Sequence, residues 1–172
     1  MTLREIRTYP DPVLRNKTSR VERIDSTLNR LIEDMVETMH AAPGVGLAAN
    51  QVGVPLQLAV IDLSLREDEE QRHPLLVIIN PEILAMEGSI IEEEGCLSIP
   101  DYAEKVKRAA RVKVRAQDRT GKQFELEAEG LMAKALQHEI DHLNGLLFVD
   151  RLSPLKKSLF KRRFKKALLE KE

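Results

Sequence analysis

Residues 137–142 read Gln-His-Glu-Ile-Asp-His, and no other part of the chain constrains the fold as much. His138 and His142 stand four apart. On a helix that spacing places both imidazoles on one face, one turn apart, where they can converge on a single metal ion. Glu139, beside the first histidine, would then reach a metal-bound water as general base. A pair of solvated helix histidines is the alternative for the hexapeptide alone. If it is a metal motif, a third ligand must come from elsewhere, so the fold has to bring a distant segment against this helix face.

The chain has four histidines and one cysteine. His40 follows an apolar stripe and fits a C-terminal helix residue balancing the dipole. His73 precedes a proline in a charged loop and reads as solvated. Cys96 is then the candidate third ligand, set in Glu94-Gly95-Cys96-Leu97-Ser98-Ile99-Pro100. A glycine just before it lets backbone approach a metal or ligand closely. A small buried core residue is the competing reading of Cys96. With no second cysteine, a structural site of paired cysteines and paired histidines cannot close. One cysteine with two histidines leaves a position for water, as catalytic sites do.

Periodicity organises the rest. Asp25 or Ser26 caps a helix running to Met39, with Leu28, Leu31, Ile32, Met35, Val36 and Met39 as its buried stripe, and Pro43-Gly44 ends it. A loop is expected from Gly44 to Gly53, then strands at Leu56–Asp62 and Leu75–Asn80, separated by the charged run Ser64 to His73. Val112, Val114 and Ala116 alternate with basic residues, and Phe124, Leu126 and Ala128 with acidic ones. Asp118-Arg119-Thr120-Gly121 lies between them, a hairpin signal. The helix of the His-Glu-x-x-His motif is expected from Gly130 to Asn144, capped by Gly145. A helix, antiparallel strands and a second helix predict an α+β fold, with antiparallel sheets packed around the helix that bears the motif.

At 172 residues the chain suits one compact domain. Residues 1–155 are expected to form the catalytic body and 156–172 a basic amphipathic helix of the same domain. That last segment carries eight Lys or Arg against two Glu, a balance of +6 in a chain of net charge −1. Leu155, Leu159, Phe160, Phe164 and Leu168 sit at helical spacing and are expected to dock as its apolar stripe. Sparse aromatics (four Phe, two Tyr, no Trp) argue against a surface for single-stranded nucleic acid. The lone cysteine excludes an intrachain disulfide. No apolar run near the N-terminus resembles a signal peptide, and none elsewhere reaches the roughly 20 residues of a membrane span. A soluble cytoplasmic protein is expected.

A third motif, Gly44-Val45-Gly46-Leu47-Ala48-Ala49-Asn50-Gln51, lacks the lysine and spacing of a phosphate loop. It suits close approach of a peptide backbone, with Gln51 offering an amide donor, or else a tight packed turn. Taken in order, this motif, Glu-Gly-Cys-Leu-Ser and Gln-His-Glu-x-Asp-His resemble the peptide deformylase family over nearly the whole chain. The opening Tyr9-Pro10-Asp11-Pro12-Val13-Leu14-Arg15 is similar to it too. The resemblance implies removal of the formyl group from the N-terminal methionine of new polypeptides, by attack of a metal-bound water. It implies one ferrous ion held by Cys96, His138 and His142, with nickel, cobalt or zinc as substitutes. Glu139 would be the acid/base, and Gln51 with the Leu97 backbone amide would hold the carbonyl oxygen. Val45, Gly46, Glu94, Gly95 and Leu131 would contact the peptide, Val45 and Gly46 by pairing with it as an added strand. The resemblance also implies a monomer whose basic C-terminal helix meets the ribosome near the nascent chain.

Close relatives often have an apolar residue where this chain has Glu92, and again at Lys134. Together the two would make a polar rim to the side-chain pocket, or else lie exposed. One rival to the deformylase reading is a His-Glu-x-x-His protease, which usually takes a downstream third ligand. Another is a silent metal-binding or ribosome-binding module, which would not need Glu139 and Gln51.

Overall fold

The computed structural model describes residues 2–64 and 74–171. Its elements run α1 (Ser26–Ala41), β1 (Gly46–Ala48), β2 (Leu58–Ile61), β3 (Leu76–Glu87), β4 (Ile90–Cys96), β5 (Ile99–Arg108), β6 (Arg111–Gln117), β7 (Gln123–Glu129), α2 (Gly130–Leu143) and α3 (Pro154–Lys171). Five strands form one antiparallel sheet in the order β1-β2-β3-β6-β7, and β4 with β5 forms a separate antiparallel hairpin. The expected α+β class with antiparallel sheets is borne out.

Alternation along β2 shows why helices lie on both faces of the sheet. Leu58 and Val60 pack with Leu28, Ile32, Met35 and Met39 of α1, whereas Ala59 and Ile61 pack with Met132, Leu136 and Ile140 of α2. Successive side chains point to opposite faces, so a strand apolar at every position must be covered twice. Both helices begin where the sequence places their starts; α1 runs two residues past the expected Met39 to Ala41, and α2 ends at Leu143, one short of the expected Asn144. The Asp25 carboxylate accepts the Leu28 backbone N–H at 3.0 Å. Gly145 takes a positive φ of 78° just past the end of α2, a conformation that costs other residues more.

Several expectations need correction. The segment expected as a loop, Gly44 to Gly53, contains β1 and a 3-10 turn at Ala49–Val52. The strand expected over Leu56–Asp62 is confined to Leu58–Ile61. The strand expected to stop at Asn80 continues to Glu87. Asn80-Pro81 reads as a stop because Asn favours turns and Pro lacks a donor. Here the pair forms an irregularity in the ladder, where register shifts between Ile79 and Glu82, a position that tolerates proline. The Asn80 side chain holds the kink by bonding both backbone groups of Val21, at 2.8 and 2.9 Å. The hairpin of β4 and β5 was not expected at all. Of the run expected as a polar loop, Ser64 is described, and residues 65–73, His73 included, lie outside the described residues.

A third core cluster lies under the β4–β5 hairpin and joins Leu14, Ile99, Val106, Phe148 and Leu152 to Phe160 of α3. Phe160 packs at a tilt against Tyr9 and Tyr102, and Phe164 meets Tyr9 edge-to-face, with ring centroids 4.7 to 5.4 Å apart. The leucines do not share this contact: Leu155, Leu159 and Leu168 are 70%, 49% and 46% exposed. At 100° per residue, Leu155 and Leu159 fall on the helix side opposite Phe164, and Leu168 lies a further turn along. Only the phenylalanines dock.

Candidate metal centre

Cys96 ends β4, and the hairpin carries it against the face of α2 that bears His138 and His142. The Cys96 thiol and the His142 Nε2 are 3.3 Å apart, and the two histidine Nε2 atoms 3.1 Å apart. One ligand atom from each of the three lies within 4.8 Å of the others. An ion bound at ~2.0–2.1 Å to nitrogen and ~2.3 Å to sulfur in tetrahedral geometry calls for ligand separations of roughly 3.3–3.6 Å. The cluster therefore fits a single transition-metal ion with little adjustment.

Charge around the cluster favours a cation as well. Burial alone would disfavour a charged His138, but the Glu139 carboxylate and hydrogen bonds to Cys96 and Glu94 outweigh it and hold that imidazole well above its usual pKa. His142 is driven the other way, chiefly by burial and then by His138, which keeps it in the neutral form that binds metals. The site thus attracts one positive charge among anionic groups, and a metal ion competes for that place with a proton.

Glu139 is 3% exposed, and burial pushes its carboxyl up to about 7. Its Oε1 is buried with no hydrogen-bond partner among the described residues. Its Oε2 lies against Gly46, where an added Cβ would stand only 2.5 Å away. The glycine of the third motif therefore makes room for the carboxylate of the first. Gln51 is fixed by the Ala48 backbone N–H, which donates to its Oε1 at 2.9 Å. Its amide nitrogen donates to Ser98 Oγ at 3.0 Å and lies 3.6 Å from the Cys96 sulfur. Leu97 follows the cysteine, and its side chain covers Gly44.

A cleft of about 910 Å³ opens on these groups, lined on one side by Val45, Gly46 and Gln51, and on another by Glu94, Gly95, Cys96 and Leu97. Leu131, Lys134, Ala135, His138 and Glu139 complete the α2 wall. All the candidate site residues except His142, which is buried, thus face one cavity. Glu94 departs from a simple peptide contact: its carboxylate takes two bonds from Arg108, at 2.6 and 3.1 Å, and bonds His138 Nδ1. His138 and Arg108 overcome the effect of burial and hold Glu94 at a pKa of about 2. Fixing Nδ1 leaves Nε2 aimed at the cluster. Of the two readings of Glu92 and Lys134, both hold in part: they pair at 3.5 Å, with Glu92 more than half exposed, and His40, in the last turn of α1, pairs with Asp62 at 2.7 Å.

Three supporting residues carry no signal that marks them in the sequence. Arg108 also bonds Asp141 at 2.6 Å, and Asp141 takes Arg151 at 2.8 and 3.1 Å, a chain of charges behind the site that is buried up to Asp141 and reaches the surface at Arg151. Asn50 donates to the His142 backbone oxygen at 2.6 Å, tying the third motif to α2. Asp141 and Asn50 lie inside the motifs but look like fillers, and Arg108 ends a basic run that reads as solvated.

A cysteine and two histidines converging beside a buried carboxylate, at the mouth of a cleft, form a donor set that fits a metal ion and point to the class of metalloenzymes. Comparison with known proteins narrows it. Residues 3–158 match the family model of polypeptide deformylase. A peptide deformylase of Syntrophobacter fumaroxidans is 58% identical over 170 residues, covering 99% of this chain and 98% of that one. Crystal structures of peptide deformylases from Legionella pneumophila and Thermus thermophilus superpose with TM-scores of 0.86 and 0.88 at 48% and 44% identity. They cover 98% of this chain in both cases, and 98% and 96% of those chains. The chain belongs to the polypeptide deformylase family, and it is an enzyme.

Proposed function

We propose that this enzyme removes the formyl group from the N-terminal formyl-methionine of newly made polypeptides, with Cys96, His138 and His142 holding one divalent ion. Ferrous iron is the resident ion, and nickel, cobalt or zinc can replace it. One observation carries the reading: three ligand atoms converge beside a buried carboxylate whose Oε1 has no partner among the described residues, and Cys96, His138 and Glu139 line one cleft. The ion supplies Lewis acidity, which makes water acidic enough to be activated at neutral pH.

The chain's own groups supply the rest. Glu139, with a carboxyl raised to about 7, is matched to accept a proton near neutrality and return it to the departing methionine nitrogen. The Gln51 amide, held by Ala48 and Ser98, and the Leu97 backbone N–H face the charge that develops on the formyl oxygen. Such a donor is worth about 3–4 kcal/mol in the transition state. β1 is an edge strand of its sheet, so Val45 and Gly46 are placed to pair with an extended peptide, whose other side meets Gly95. Main-chain pairing binds many sequences, as a general processing enzyme requires. Leu131 offers apolar surface to the first side chain, and Glu94 acts through His138.

Residues 1–155 and the helix that follows act as one domain, in a monomer of the cytoplasm. The charged surface of α3 is offered to ribosomal RNA, an attraction that weakens with salt and reads no sequence. Formate release from an N-formyl-methionyl tripeptide, by protein loaded anaerobically with ferrous iron, tests the activity. Release from the formyl peptide and none from its acetyl counterpart is expected. A folded, metal-loaded sample that releases no formate would overturn the reading.

A further inference from the structure

Reading α2 backwards from His138, Ala135 and Lys134 lie three and four residues earlier and Leu131 seven, and all of them line the cleft. At about 1.5 Å per residue, Lys134 stands roughly 6 Å from His138 along the axis, and Leu131 roughly 10 Å. If the formyl group reacts at the ligand cluster, the side chain of the first residue runs beside this helix face. Lys134 is its polar member. The Lys134 side chain is only 16% exposed. Its ammonium donates to the Glu93 backbone oxygen at 2.9 Å and lies 3.5 Å from the Glu92 carboxylate, the acceptors that meet it among the described residues. An ammonium has three donors, so one is left for a further acceptor. Glu92, more than half exposed, already balances the charge.

We propose that Lys134 sets which first residues the cleft accepts: its methylenes form an apolar wall, and its ammonium ends that wall with a hydrogen-bond donor. The enzyme therefore takes, beside formyl-methionine, a formylated residue of the same length that carries a neutral acceptor, namely methionine sulfoxide. In a wholly apolar pocket the sulfoxide oxygen would lose its water without replacement, a penalty that excludes it. A carboxylate side chain is not favoured, because it would meet Glu92. The inference rests on the deformylase reading of the cleft and deepens it.

The test compares kcat/KM for N-formyl tripeptides beginning with methionine, norleucine or methionine sulfoxide, in the wild type, Lys134→Met and Lys134→Arg. In the wild type the sulfoxide peptide should react within about tenfold of the methionine peptide. Lys134→Met should lower the sulfoxide-to-methionine ratio by about tenfold or more, the usual worth of a hydrogen bond from a charged donor. It should leave the norleucine-to-methionine ratio in place, and Lys134→Arg should restore the sulfoxide reaction. An unchanged sulfoxide ratio in Lys134→Met would overturn the proposal. So would an equal fall for all three peptides, which would make Lys134 only a tie between α2 and β4. A wild type that releases formate from the methionine peptide and rejects the sulfoxide would sink this inference alone. One that releases none from any peptide would sink the deformylase reading with it.

Discussion

α2 and α3 are both helices rich in polar residues, yet the molecule uses them in opposite ways. On α2, Gln137, Glu139, Asp141 and His142 are all at least nine-tenths buried. Gln137 bonds both backbone groups of Ala109, Asp141 lies between Arg108 and Arg151, and Asn50 holds the His142 carbonyl. On α3, by contrast, Phe160 is the one residue less than 5% exposed among the described residues, and only Lys156 of its basic residues forms an ion pair there, with Glu104. Buried polar groups are costly unless paired. A helix that pairs most of them fixes the geometry of a site, whereas one that leaves its charges in water offers them to a partner.

Arg108→Met attacks the α2 side of this contrast hardest. It leaves Glu94 and Asp141 buried without their shared cation, which typically costs about 3–5 kcal/mol. Denaturant unfolding should show the loss, and a change under ~1 kcal/mol would mean the buried chain does not hold α2 in place. On the other helix, Phe160→Ala removes the main anchor. A loss near the ~3 kcal/mol end of the range for buried Phe→Ala is expected locally, read as faster amide exchange along α3 while β2 and β3 stay protected. Exchange that rises equally in the central sheet would erase the distinction between the two helices.

Gly46→Ala is aimed at the chemistry, since the new methyl would stand 2.5 Å from Glu139 Oε2. Displacing that carboxylate by about 1 Å should reduce formate release roughly a hundredfold, with bound metal retained. Activity within a factor of two would show that Glu139 has room elsewhere.

Acid should have the smallest effect. The Glu104 carboxyl is held below its usual range, first by the Lys105 backbone N–H and then by Lys156. A lowered carboxyl contributes stability that is present above its unfolded pKa of about 4.3 and is lost as pH falls through the lowered value. The pair is solvent-screened, so amide protection along α3 should barely change between pH 7 and pH 4. A marked loss in that window would mean that charge, not Phe160, secures the helix.

The ligands were legible because each sits in a short motif whose spacing is itself chemical: histidines four apart, and a glycine before the cysteine. α1 was legible through its three- and four-residue apolar repeat, and α2 through the histidine spacing and the Gly145 cap. The β4–β5 hairpin was not, because Glu94 is the one buried residue of β4 and no apolar alternation marks it. What holds it together is cross-strand pairing, including Glu93 opposite Lys105, and partners across a ladder are invisible to a periodicity along the chain. Arg108 was hidden for the same reason. α3 was misjudged because spacing shows which residues share a face, but not how far the surface beneath them extends.

Glu139→Gln, assayed for both metal content and formate release, tests the central claim most directly. The amide keeps the shape of the side chain and removes its capacity to carry a proton. One divalent ion per chain should be retained while turnover of an N-formyl-methionyl peptide falls about a hundredfold or more. Near-normal turnover with the ion in place would contradict Glu139 as the proton carrier.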